Sequence, residues 1–281
     1  MSFEDLIRYY STAVDPISTG FRESGTITGD IKAVLFDVYG TLFISRAGDI
    51  SIAEKQAENN IIGIEQLLEK YRIDRDASLF YKEFIDEIET EKARIEAGGV
   101  DYPEVVIEKI WKNILPFEDD DHIKTFAVEY EMVVNPVYPM PHAQELLFSL
   151  MKKNVLMGII SNAQFYTQYL FPALLGGSLA DLGFRDDLTF FSYVFRYGKP
   201  SLFLYKKAAE RFDTLNIRRR DVLFVGNDML KDIYPASTVG FQTALFAGDR
   251  RSLRIREDDE RCRNIKADLI ITDLLHIDDY I

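Results

Sequence analysis

The chain has 281 residues, 47% apolar and 28% charged, a mixture that excludes a disordered or fibrous protein. Its 33 basic and 46 acidic residues leave a formal charge of −13, which makes nucleic acid and anionic membrane surfaces poor partners. Cys262 is the only cysteine, so an internal disulfide framework is impossible; with no basic-then-apolar leader and no run of about 18 apolar residues, the expectation is a soluble cytoplasmic protein.

In chain order, residues 1–14 read as a short amphipathic helix and 15–30, rich in Gly, Ser and Thr, as a loop. Lys32–Val38 is a nearly continuous apolar run, the pattern of a strand buried on both faces. From about 50 to 134 the apolar residues recur at helical spacing: Phe80, Phe84, Ile88 and Ile95, then Ile107, Ile110, Trp111 and Ile114. Asn135–Pro141 carries three prolines in seven residues and marks a junction. Beyond it, helices alternate with strands: a helix over 142–153, strands over 155–160 and 188–195, a helix over 202–213, a strand over 222–225, a helix over 229–238, and strands over 243–246 and 267–272. Strictly alternating elements predict right-handed crossovers and an α/β three-layer sandwich around a mostly parallel, Rossmann-like sheet. The first strand belongs to that sheet, which makes the helical stretch an insertion. The expected organisation is an N-terminal extension over 1–29, a core over 30–46 and 138–281, and a helical cap over 47–137.

In open parallel sheets ligands meet the carboxyl ends of the strands. The first strand leaves through Asp37-Val38-Tyr39-Gly40-Thr41, a carboxylate followed by a tight turn with donors. The second leaves through Ser161-Asn162, the third unit through Gly198-Lys199-Pro200, and the fourth through Gly226-Asn227-Asp228 to Asp232. A carboxylate, hydroxyl and amide donors, a lysine and further acids suit covalent catalysis by an aspartate. Taken alone, each motif reads as a cap or a turn; four of them, in order at successive strand ends, do not.

That order resembles the haloacid dehalogenase superfamily. Phe36-Asp37-Val38-Tyr39-Gly40-Thr41-Leu42 matches the first motif, Ser161 the second, Lys199-Pro200 the third and Val225-Gly226-Asn227-Asp228 through Asp232 the fourth. The resemblance implies that Asp37 is the nucleophile and forms an aspartyl intermediate that water hydrolyses. It implies that Ser161 and Lys199 hold the transferring group, and that the fourth motif binds Mg²⁺ or orients the hydrolytic water. Its metal ligands would be Asp37, the Tyr39 carbonyl, and Asn227 or Asp228. The helical insertion would be the cap that closes over the site.

Two departures bear on the chemistry. Family phosphatases carry a second aspartate two residues after the nucleophile; here Tyr39 stands there, and a phenol is a poor acid near neutral pH. The 2-haloacid dehalogenases have Tyr at this position, and also one at the offset of Tyr205. Yet Lys112 and Asn113 follow Trp111, so the arginine-bearing cap segment of those dehalogenases is absent, and the fourth motif has the phosphatase length. The sequence reading therefore places a Mg²⁺-dependent phosphohydrolase of a small, anionic metabolite first. A metal-independent 2-haloacid dehalogenase and a binding protein of little activity follow. Arg46 reads as a solvated hinge residue, and with three histidines none of which is near another, a zinc site is not expected.

Overall fold

The computed structural model describes residues 1–45 and 57–281. Arg46 and the predicted start of the helical insertion lie outside these residues.

Seven strands form one sheet in the order β1-β9-β8-β7-β2-β5-β6. They are β1 (Ser24–Gly25), β2 (Ala33–Phe36), β5 (Leu156–Ser161), β6 (Phe184–Phe191), β7 (Val222–Gly226), β8 (Gln242–Phe246) and β9 (Leu269–Ile271). Every pairing is parallel except the β1–β9 edge. All four residues of the central β2 are fully buried, as the continuous apolar run requires. The sheet and its flanking helices form the expected mostly parallel α/β architecture.

The structure differs from the sequence reading at several ends. The first helix, α1 (Phe3–Tyr10), stops at Ser11, and the loop behind it contains the two-residue β1. The strand expected over 188–195 runs instead over β6, and Ser192–Phe195 form a helical turn. The helix expected over 229–238 begins as a π turn, Met229–Ile233, before Tyr234–Thr238 continue it. The Pro-rich junction is itself a strand, β4 (Val137–Pro139), paired antiparallel with β3 (Phe43–Ser45).

Among the described residues between β3 and β4 are the helices α2 (Ala57–Lys70), α3 (Ala77–Ala97), α4 (Ile107–Ile114) and α5 (Asp120–Val134). They pack around Trp111, whose ring stacks on Phe84 at 4.1 Å and meets Phe126 and Tyr130 edge-on. The helical period of Phe80, Phe84 and Trp111 thus builds the interior of the insertion. Helix α1 lies against both α5 and the Phe171–Leu175 turn of the core. Leu6 and Ile7 are buried there, and the Arg8 Nε donates to the Ala173 carbonyl at 3.0 Å. Among the described residues no helix is long and apolar enough to cross a membrane.

Candidate active site

Strand register brings three of the four motifs to one edge. Phe36 pairs with Ile159 on one side and Val225 on the other, so Asp37, Ser161 and Asn227 leave adjacent strands within two residues of a common level. The Asp37 amide continues the ladder by donating to the Val225 carbonyl at 2.9 Å. Gly40 takes φ +81, and a Cβ there would strike Ser252, so the turn behind the carboxylate needs glycine.

Lys199 is buried and its Nζ lies 2.8 Å from Asp37 Oδ1 and 2.5 Å from Asp232 Oδ1. Burial alone would lower the ammonium pKa; the two carboxylates outweigh it and raise it. Burial pushes Asp232 upward, with Asp37 and Asp228 adding to the rise and Lys199 opposing it. Asn162 clamps the lysine backbone in both directions: its Oδ1 accepts from the Lys199 amide at 2.6 Å and its Nδ2 donates to the Lys199 carbonyl at 3.3 Å. Ser161 is fully buried at the tip of β5.

The fourth motif divides its labour. Asp232 Oδ2 accepts from the Asp228 amide at 2.9 Å, which anchors the carboxylate that meets Lys199. Asp228 caps the π turn through the Leu230 and Lys231 amides and is paired with Arg256, at 2.7 Å from Nη2. Asn227 donates to the Ser252 carbonyl at 2.7 Å, and its Oδ1 accepts from the Thr41 hydroxyl at 3.1 Å. The one-residue length that sets this motif apart from the dehalogenase spacing sits where the π turn widens the helix.

Mg²⁺ takes near-octahedral oxygen ligands and favours carboxylates. Here Asp228 is neutralised by Arg256, the Asn227 oxygen accepts from Thr41, and Asp37 and Asp232 share the Lys199 ammonium. Among the described residues no group of three His, Cys, Asp or Glu side chains could hold a metal ion. In this arrangement the carboxylates of the fourth motif are paired with cations of the chain itself.

Tyr39 turns its hydroxyl away from bulk water to Thr167, 2.8 Å between the two oxygens. Burial, above all, holds that phenol well above its ordinary pKa, and Glu131 and Asp37 reinforce the rise. Tyr205 donates to the Lys231 carbonyl at 2.8 Å and is fully buried, a core residue under the fourth motif. Sequence reasoning missed Thr167, Gln164, Ser252 and Arg256. Ser252 and Arg256 reach the site across the fold from a segment carrying no motif, and Gln164 and Thr167 follow the second motif with no spacing that announces them. Two open clefts of about 530 and 580 Å³ among the described residues lie elsewhere, lined by none of Asp37, Ser161, Lys199 or Asp232.

The doubly wound sheet thus presents an aspartate at the tip of its central strand against a buried lysine. A family model for haloacid dehalogenase-like hydrolases matches residues 31–240, and the chain belongs to that family. Solved structures agree on the fold. A 2-haloacid dehalogenase from Pseudomonas syringae pv. Tomato DC3000 superposes with TM-score 0.53 at 17% identity, over 89% of this chain and 97% of its own. An L-2-haloacid dehalogenase superposes with TM-score 0.52 at 18% identity, over 90% of this chain and 99% of its own. A phosphatase of the same superfamily from Thermococcus onnurineus covers 89% of this chain and 97% of its own at 20% identity and TM-score 0.48. No curated protein matches the sequence closely enough to count as a relative.

Proposed function

We propose that this hydrolase works without a metal, through an ester at Asp37, on a small substrate whose leaving group departs without a proton. A 2-haloacid is the class we place first. The observation that carries this reading is Tyr39: the position where an acid would protonate an alkoxide holds a half-buried tyrosine whose hydroxyl is hydrogen-bonded to Thr167. The Asp228–Arg256 pair supports the metal-free half. That two solved structures of similar fold are haloacid dehalogenases also supports the reading.

In the first step the Asp37 carboxylate attacks the carbon bearing the halogen. The C–O bond forms as the carbon–halogen bond breaks, and the halide leaves with the electron pair. Lys199 orients the attacking oxygen. In the second step water attacks the Asp37 carboxyl carbon and gives a proton to the neighbouring carboxylate Asp232, which passes it to the oxygen of the hydroxy acid as the ester C–O bond breaks. The hydroxy acid departs, the second proton of the water leaves to solvent and the Asp37 carboxylate is restored.

The phosphohydrolase that the sequence ranks first becomes the second reading, restricted by the same argument to acyl phosphates and other good leaving groups. The test is halide release from 2-chloropropionate beside phosphate release from acetyl phosphate and p-nitrophenyl phosphate, each with Mg²⁺ and with a chelator. Halide release that ignores the chelator, and that falls by about 10⁴-fold or more in Asp37→Asn, is the expected result. Mg²⁺-dependent phosphate release with no halide release would overturn it.

A further inference from the structure

The insertion touches the core at a second place, far in sequence from the β3–β4 ribbon. The connection between α3 and α4 runs alongside the segment that leads into Lys199. Pro103 bridges Tyr197 in antiparallel fashion. The Glu104 amide donates to the Arg196 carbonyl at 3.1 Å, and the Gly198 amide donates to the Tyr102 carbonyl at 2.7 Å. The next residue is Lys199.

The Glu104 side chain secures this seam. Its Oε2 accepts from the Ser192 hydroxyl at 2.8 Å and its Oε1 from Gln164 Nε2 at 3.2 Å. The same Gln164 side chain donates to the Val105 carbonyl and accepts from the Ile107 amide, and its backbone amide donates to Thr167, the partner of Tyr39. Arg196 completes the seam by donating to the Glu104 carbonyl at 2.8 Å and pairing with Glu91 at 2.7 Å. One carboxylate of the insertion therefore meets the loops that follow the second motif and precede the third. Burial raises the Glu104 pKa, although the Ser192 and Val105 donors oppose the rise. A group that resists burial yet is built into such a contact has a reason beyond packing.

We infer that Glu104 is a positioning residue for the Lys199–Asp37 pair: by holding residues 102–104 against 196–198 it seats the backbone that carries the lysine. The inference rests on the reading of Lys199 as counter-ion to the nucleophile. Its consequence is that the site is assembled only while the insertion is docked, so that closure over substrate and placement of the ammonium are one event.

Competitive acetylation of lysines with acetic anhydride, read by peptide mass spectrometry, tests this with no substrate required. Wild-type Lys199 reacts slowly relative to the exposed lysines. Glu104→Ala is expected to raise its relative rate about tenfold, and Ser192→Ala, which removes the same contact from the core side, to do likewise. The double variant should add little to either. Glu104→Gln keeps an acceptor for Ser192 and should stay within about twofold of wild type. Tyr166→Phe removes a different bond between insertion and core and should leave Lys199 unchanged. An unchanged Lys199 in Glu104→Ala would overturn the inference. So would an equal rise in Glu104→Gln and Tyr166→Phe, which would mean general loosening. Asp37→Asn turnover speaks to the chemistry alone, so the two ideas fail separately.

Discussion

Lys199 carries the largest electrostatic load of any side chain at the site. It is a buried ammonium between two carboxylates, so its removal strands two like charges in a poorly solvated place. Lys199→Ala is expected to abolish turnover and to cost about 3–5 kcal/mol of stability by denaturant titration. Lys199→Ala/Asp232→Ala should recover part of that stability and none of the activity. Gly226 makes a related prediction. A Cβ there would lie 2.4 Å from the Asp232 carboxyl carbon. Gly226→Ala should therefore displace the carboxylate that Lys199 and the Asp228 amide share, and turnover should fall with little change in circular dichroism. Tyr39→Phe separates the roles of the phenol. If it is no proton donor, halide release stays within about tenfold of wild type. The Thr167 hydroxyl left behind costs about 1–3 kcal/mol, which Thr167→Val on the same chain restores. The residues that leave the strands, from Asp37 to Asp232, were legible because a buried apolar run followed by a polar turn is a local pattern. Arg256 and Thr167 were not. Their roles depend on which segment folds over which, and neither stands in a pattern that would mark it.

At the scale of the element, the helices carrying Phe80, Phe84, Ile110 and Trp111 were legible because their apolar stripe is regular. Trp111 shows what that stripe is for: fully buried, it contacts four aromatic rings of the same bundle. Trp111→Ala is expected to destabilise the protein by about 3–5 kcal/mol, measured by urea unfolding. Short elements escaped the reading for an equally physical reason. Strands β3 and β4 have three residues each, too few to display a period, and β4 contains proline, which normally argues against a strand. It is tolerated because the ribbon is two-stranded, so each strand has a free edge. The π turn at Met229–Ile233 was read as ordinary helix, since its sequence differs from an α-helix only in how one extra residue is absorbed.

Across the whole molecule, a polar chain runs from the ribbon toward the site. Ser45 donates to Asn135, Asn135 donates to Glu131, and the Tyr166 hydroxyl donates to the other oxygen of Glu131. Burial raises the Glu131 pKa against the opposing influence of those two donors. A carboxyl raised by folding binds its proton more tightly in the native state than in the unfolded one. Its favourable contribution is complete below the unfolded value and is lost as pH rises through the folded one. Glu131→Gln should therefore gain on the wild type as pH rises from about 4.5. Melting temperatures of both proteins between about pH 4.5 and 8 measure this, and a gap that stays constant with pH would refute it.

Helix α1 has a consequence for how the molecule is made. It leaves the ribosome before its partners: the carbonyl that Arg8 reaches belongs to a residue 165 positions later, and α5 lies between the two in sequence. At roughly 5–20 residues per second, that wait is on the order of ten seconds or more. Until α5 and then the Phe171–Leu175 turn have emerged, Leu6 and Ile7 lack part of the native surface that covers them. Nascent chains arrested before residue 175 should be cleaved readily within residues 3–10, and those arrested well beyond it should resist. A helix synthesised before its partners is then among the last of these elements to find its place, and its docking closes the period in which this part of the emerging chain is open to chaperones and proteases.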